Sequence, residues 1–301
     1  MKRFFKQAHV MSALIYAAIR GRIAAAKHEA QTLIYLVREG NELALDLYLP
    51  GTTDNNPLPL LIWFHGGGWV MGSRKDIEKV IIDQVNRGYA VASVSYTLAE
   101  TKDGEETHWP VQCHEAKAAI RFLRSNANKL GLDPNRFTAC GMSAGGHMAA
   151  MMGGTAGNAK LDGSLGDHPD VSPEVQGVIA FYPPTDFESV PRDFDGTLDY
   201  YDQESPVAKI LGAPLDEMKE AAILCSVCQQ VQSGSPPFLL LHGNRDPIVP
   251  VSQSEILEER LKAIDVPVTF RREPSFTHGD FGFNKGEHAR AIEQFLDELT
   301  R

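Results

Sequence analysis

Residues Arg136–Met152 read RFTACGMSAGGHMAAMM, and few folds accommodate that order of residue types. Arg136-Phe137-Thr138-Ala139-Cys140 is a short, mostly apolar run after the turn-like Asp133-Pro134-Asn135, as expected of a buried strand. Ala144–Met152 is rich in Ala, Met and Gly and reads as a helix packed against a sheet. Ser143 therefore lies at a strand-to-helix turn. Such a turn is tight and strained, and it needs small residues on both sides, here Gly141 and Gly145. It lifts the hydroxyl clear of the sheet. The first N–H groups of the helix point at the same spot, where they favour negative charge.

A second feature precedes it. Pro57–Phe64 contains Leu58, Leu60, Leu61, Ile62, Trp63 and Phe64, a buried-strand pattern that runs directly into His65-Gly66-Gly67-Gly68-Trp69. Consecutive glycines let the backbone approach a bound molecule and turn its N–H groups inward. The N–H groups of Gly67, Gly68 and Ala144 are the candidate donors to an oxyanion. His65 is expected to brace the loop. Trp69 is a candidate wall of a substrate pocket, with a core position as the alternative.

A serine hydroxyl attacks only when a base takes its proton and a carboxylate orients that base. After a Gly-x-Ser-x-Gly turn of this kind the expected chain order is Ser, then Asp or Glu, then His. Asp246 follows the apolar run Pro237–His242, at the strand edge where open α/β sheets carry their chemistry. His278 lies between an expected strand, Val266–Arg272, and a closing helix from about Lys285 to Leu299. The other histidines fit less well. His288 falls inside the closing helix, and His242 ends a strand before the acid. His147 is expected to pack on the sheet one turn after Ser143, and the remaining five precede Asp246. The rival acid, Asp186, reads as a turn or helix cap. The candidate triad is Ser143, Asp246 and His278.

With these motifs, Leu61–Ser73 (LIWFHGGGWVMGS), Gly88–Leu98, Ala116–Met148, Val175–Phe187 and Phe238–His278 resemble the α/β-hydrolase superfamily. More narrowly they resemble hormone-sensitive-lipase-like esterases and related small-ester and carbohydrate esterases. The resemblance spans roughly Leu33–Thr300. It implies an eight-stranded, mostly parallel sheet flanked by helices, with a small lid or cap region. It also implies a serine carboxylesterase acting on short-chain acyl esters through an acyl-enzyme, with no metal and no organic cofactor. Leu165-Gly166-Asp167-His168 and Asp170-Val171-Ser172 are similar to segments of esterases of acylated sugars, including feruloyl and acetyl-xylan types. Alternatives are an arylformamidase-like or peptidase-like hydrolase using the same triad, or a binding protein that has kept the fold without the chemistry.

The net charge of −10 argues against nucleic acid as a main partner and leaves a small-molecule ester as the expected one. No apolar run reaches the ~18 residues of a membrane span. Cys225-Ser226-Val227-Cys228 has the spacing of half a zinc site, but without a second pair the thiols are expected to serve packing. Residues 1–28 carry Lys2, Arg3, Lys6, Arg20, Arg22 and Lys27 and no acid. Phe4, Ala8, Met11, Ile15 and Ala18 share one helical face. Residues 1–30 are therefore expected to form an amphipathic helix or lid of a cytoplasmic protein. The competing reading is a signal peptide ending near Ala24-Ala25-Ala26, which would send the protein to the periplasm or outside. Residues 31–301 form the expected hydrolase domain, in which the irregular stretch 187–235 is expected to line the pocket. A homo-oligomer is compatible with all of this.

Overall fold

The computed structural model describes residues 16, 18–51, 56–99, 107–192, 194 and 196–299. Eight strands form one sheet: β1 (Ala30–Arg38), β2 (Asn41–Tyr48), β3 (Leu58–Phe64), β4 (Ala90–Val94), β5 (Leu132–Met142), β6 (Gly177–Phe181), β7 (Phe238–Gly243) and β8 (Val268–Glu273). Their spatial order is β1-β2-β4-β3-β5-β6-β7-β8. The β1–β2 and β2–β4 pairs are antiparallel, and every pair from β4 through β8 is parallel. β1 and β2 are joined by Glu39-Gly40, both at positive φ (51° and 81°). That geometry belongs to a two-residue hairpin turn whose twist matches the strands.

The central strands are buried on both faces because helices cover both faces, so β3, β4, β6 and β7 read as continuous apolar runs without alternation. One layer of the core includes Leu60, Ile62, Phe64, Ala139, Val178 and Leu240 with helices α1 (Val111–Ser125) and α2 (Ala144–Gly154). The other includes Leu61, Trp63, Cys140, Ile179 and Leu241 with the closing helix, α6 (Gly286–Leu299). Between β6 and β7 lie α3 (Pro206–Leu211) and α4 (Lys219–Cys225), and α5 (Ser252–Ala263) connects β7 to β8. This is the α/β-hydrolase fold.

Two boundaries differ from the sequence expectation. β5 begins at Leu132 instead of Arg136, because the expected turn at Asp133-Pro134-Asn135 is a bulge inside the strand. Its pairing with β3 steps from Leu58↔Leu132 to Leu60↔Phe137, and Asp133 accepts the Asn135 N–H (2.9 Å) inside the bulge. The spacing of Ala116, Ala119, Ile120 and Leu123 predicts one amphipathic helix over His114–Lys129; the structure has α1, ending at Ser125, followed by a separate turn at Ala127–Leu130. Asn126 interrupts it by bonding its side-chain amide back to the Phe122 carbonyl (2.8 Å).

Of the N-terminal face, Phe4, Ala8, Met11 and Ile15 lie outside the described residues. Residues 18–25 are helical and seat Gly21 so closely on Ile77 that a Cβ there would overlap the Ile77 carbonyl. Among the described residues no helix is long and apolar enough to cross a membrane.

Candidate active site

The C-terminal ends of β5, β7 and β8 converge on one point. β5 ends at Met142 and α2 starts at Ala144, which leaves Ser143 as the single residue of the turn. Its backbone sits at φ 54°, ψ −122°, outside the regions an L-residue prefers. The conformation is held on both sides: the Ser143 N–H donates to the Phe181 carbonyl (2.9 Å) and its carbonyl accepts from the His147 N–H (2.9 Å). The flanking glycines are a steric requirement. A Cβ on Gly141 would strike the Gly145 carbonyl, and one on Gly145 would strike the carbonyls of Phe64 and His65.

Asp246 and His278 approach Ser143 from the loops after β7 and β8. His278 Nε2 lies 3.0 Å from Ser143 Oγ, and its Nδ1 lies 2.6 Å from Asp246 Oδ2. A nitrogen facing a carboxylate carries the proton, so Nε2 presents its lone pair to the serine hydroxyl. Asp246 Oδ1 accepts the N–H groups of Ile248 (2.8 Å) and Val249 (2.9 Å). Burial alone would raise this carboxyl. The charge of His278 and the hydrogen bonds from His242 and His278 outweigh burial and hold it well below the usual carboxylate range.

His242 is the residue sequence reasoning undervalued. Its Nε2 lies 3.0 Å from the Val249 carbonyl and 3.3 Å from Asp246 Oδ2, and its Nδ1 lies 2.8 Å from Ser254 Oγ. Both neighbours of Nε2 are acceptors, so Nε2 holds the proton and His242 serves Asp246 as a second donor. A histidine ending an apolar strand four residues before the acid was the available signal. His147 is also placed differently from expectation. Its Nε2 meets the Cys225 carbonyl at 2.7 Å, and its ring is enclosed by Trp69, Trp109 and Phe187, so it ties α2 to the 187–235 stretch. Burial lowers its pKa to about 4, so this imidazole is neutral. Asp186 accepts the Glu188 N–H (3.2 Å) in a local turn and stays out of the triad.

His65 is buried, with Nδ1 2.8 Å from the Gly66 carbonyl and its ring stacked on Tyr96 at 4.4 Å. Tyr96 in turn donates its hydroxyl to the His65 carbonyl (2.8 Å), which fixes the start of the glycine loop. Gly67 (φ 115°) and Gly68 (φ 60°) take left-handed conformations, and a Cβ on Gly68 would press on Pro206. Gly67, Gly68 and Ala144 all border the same cavity as Ser143. The Ala144 N–H belongs to the first turn of α2, where no intrahelical acceptor exists.

The cavity over Ser143 measures about 410 Å³. Trp69, Val70, Met71, Met142, Pro184, Ile248 and Val249 form its walls, and Thr197, Leu198, Tyr200, Pro206 and Val207 enter from the 187–235 stretch. Trp69 is thus both wall and core, 3% exposed and packed on His147 and Phe187. Among the described residues no cluster of His, Cys, Asp and Glu has the geometry to hold a metal, and Cys113, Cys140, Cys225 and Cys228 are buried free thiols.

A sequence profile of the BD-FAE family matches residues 45–261. The chain belongs to the BD-FAE family. Esterase LipC of Mycobacterium tuberculosis (strain ATCC 25618 / H37Rv) is 31% identical over 262 residues, covering 85% of this chain and 62% of that protein. Carboxylesterase NlhH of Mycobacterium tuberculosis (strain CDC 1551 / Oshkosh) is 27% identical over 247 residues, covering 80% of this chain and 72% of that one. This BD-FAE chain therefore spans about three-fifths of LipC. Among solved structures, a truncated form of carbohydrate esterase from gut microbiota has a TM-score of 0.77 at 25% identity, covering 90% of this chain and 96% of that one.

Proposed function

We propose that this protein is a serine carboxylic ester hydrolase. The observation that carries the reading is the continuous hydrogen-bond chain from Ser143 Oγ through His278 to Asp246, at 3.0 and 2.6 Å. His278 takes the serine proton as Oγ attacks the ester carbonyl. The oxyanion is received by the N–H groups of Gly67, Gly68 and Ala144, aided by the N-terminal end of α2. His278 then protonates the leaving alcohol, and water, activated by the same imidazole, releases the acid from Ser143. Asp246 holds the tautomer and stabilises the imidazolium. The chemistry is complete with side chains and backbone.

The cavity favours the acyl group as its occupant. Among the described lining residues, the two side-chain hydroxyls beyond Ser143 are engaged within the protein: Thr197 Oγ donates to the Pro247 carbonyl (3.2 Å) and Tyr200 to the Ile248 carbonyl (3.0 Å). Among the described residues no charged side chain lines it. Recognition there is by shape and apolar contact, as suits a short acyl chain. A sugar would be held outside this cavity, as the leaving alcohol. The likeness to a carbohydrate esterase supports that second reading, with acetyl or feruloyl groups in the cavity.

Hydrolysis of p-nitrophenyl esters from acetate to laurate, by wild type and Ser143→Ala, tests the proposal. Activity on short chains that vanishes in the variant supports it, and a folded wild type with no activity on any ester sinks it. Acetylated and feruloylated sugars, run beside the aliphatic series, decide between the two readings of the alcohol.

A further inference from the structure

The segment that carries His278 is tied down at a point away from Asp246. Six residues after His278, at the end of the 3-10 turn Phe281–Asn284, the Asn284 side chain is buried and uses both ends of its amide. Its Nδ2 donates to Glu78 Oε2 (2.6 Å), and its Oδ1 accepts the Val80 N–H (2.8 Å). Between His278 and Asn284 the chain is held by its own contacts. Asp280 caps the turn through the Gly282 N–H (2.8 Å), and Phe283 packs against Phe276 (5.0 Å) and Tyr182 (5.6 Å). Tyr182, itself at a strained φ of 39°, lies against the His278 ring at 4.4 Å. The other partner, Glu78, continues the chain that leaves the glycine loop. That stretch is fixed by Asp76, which accepts the Ser73 N–H (2.9 Å) and offers its carbonyl to Trp63 Nε1 (2.8 Å).

We propose that Glu78 and Asn284 are positioning residues: their buried hydrogen bond locks the His278 segment to the continuation of the glycine loop, so that base and oxyanion donors keep one geometry. The inference rests on the serine-hydrolase reading of the site. Glu78 is only 4% exposed, and among the described residues no cation pairs with it. The groups facing it are the Asn284 amide, the Lys79 peptide N–H and, from the chain after β6, Tyr182. The Lys79 ammonium is engaged by Asp83, and Asp76 by Arg22. Burial raises the Glu78 carboxyl to about 7, against the hydrogen bonds from Asn284 and Lys79. A buried, unpaired acid is costly to the fold, and the observed return on that cost is the grip on Asn284.

The test exchanges the two functional groups. Asn284→Asp sets two carboxyls face to face. Above pH 8 kcat should fall at least tenfold with KM within twofold, and the loss should shrink near pH 5.5, where one proton is shared between them. The double variant E78Q/N284D rebuilds the pair in reverse, since the new amide donates to the new carboxylate and Val80 keeps its acceptor. It should recover kcat to within threefold of wild type at every pH. A folded N284D with wild-type kcat, or a folded double variant with no recovery, overturns the proposal. If N284D does not fold, Asn284→Ala takes its place, and a lowered Tm with unchanged kcat would reduce the pair to a stabilising contact and overturn it equally. The low-field proton NMR signal of His278 Nδ1–H, bonded to Asp246, reports imidazole position without any turnover. It should broaden or shift in N284D and return in the double variant. Failure of the esterase reading is recognised separately, by a wild type that neither hydrolyses esters nor reacts with a fluorophosphonate at Ser143.

Discussion

Glu78 also gives the protein a pH-dependent stability of predictable sign. Its carboxyl is raised from 4.5 to about 7 by burial in the folded state. A raised carboxyl binds its proton more tightly folded than unfolded. Its contribution is therefore fully present below about pH 4.5 and is lost progressively as pH rises to about 7. At about 1.4 kcal/mol per pH unit, that separation corresponds to ~3 kcal/mol. For a chain of 301 residues with about 2.1 cal/mol/K of unfolding entropy per residue, ~3 kcal/mol is about 5 °C in Tm. Glu78→Gln keeps an acceptor for Asn284 and removes the ionisation. The other carboxylates, above all Asp246 with its opposite shift, cancel when wild type and variant are compared at each pH. Denaturant unfolding at pH 4.5 and pH 8 is the assay. The variant should gain on the wild type by ~3 kcal/mol between the two pH values. A difference that stays constant within about 1 kcal/mol would refute the assignment of a buried, late-titrating acid to this position.

Other predictions follow from the same geometry. Replacing His242 by Phe removes a donor to Asp246, whose depressed carboxyl stabilises the fold above its unfolded pKa and loses that contribution as pH falls. The midpoint of acid unfolding followed by circular dichroism should therefore move to higher pH, and kcat/KM should drop about tenfold. Gly145→Ala drives a methyl group into two backbone carbonyls that cannot rotate away. It should destabilise by ~3 kcal/mol or more in denaturant titration, and a wild-type midpoint would contradict the structure. Leu198→Trp intrudes on the cavity and should shorten the longest acyl chain accepted, each excluded methylene costing about tenfold in kcat/KM. Deletion of residues 1–28 tests the proposed N-terminal lid. None of that segment's described residues lines the cavity, so a lid role requires the earlier residues, and unchanged chain-length preference would remove it.

The meeting of Ser143, Asp246 and His278 was legible in the sequence because each lies in a loop that follows a strand, after the apolar β5 and β7 for Ser143 and Asp246 and five residues past β8 for His278. A parallel sheet delivers such loops to one edge whatever their separation along the chain. His278 and Ser143 are 135 residues apart, yet the strand pattern alone brings them together. Strand and helix ends were less legible, since Asp133 and Asn126 act through side-chain bonds that periodicity does not register. The His242 contact with Asp246 was half visible: its chain position placed it near the acid, but its ring direction depended on Ser254 from α5 and the Val249 carbonyl.

The Glu78–Asn284 contact was illegible for a different reason. The residues lie 206 positions apart, and neither follows a strand that would signal its destination. Their meeting depends on packing between two irregular segments, one leaving the glycine loop and one following His278. That is also why the contact matters physically. Parallel strands fix where loops begin, to within the register of the sheet, but not where a side chain six residues into a loop comes to rest. The proposed proton transfer over 3.0 Å needs the second kind of precision, and an error of about 1 Å costs on the order of a hundredfold in rate. Regular hydrogen bonding ends at Glu273, five residues before His278. From there the imidazole is held from two directions, by Asp246 through its own Nδ1 and by Asn284 through the backbone behind it. Removing the first would change the chemistry of the proposed base, and removing the second would change only its position. The separation of kcat from KM in the Asn284 variants measures that difference directly.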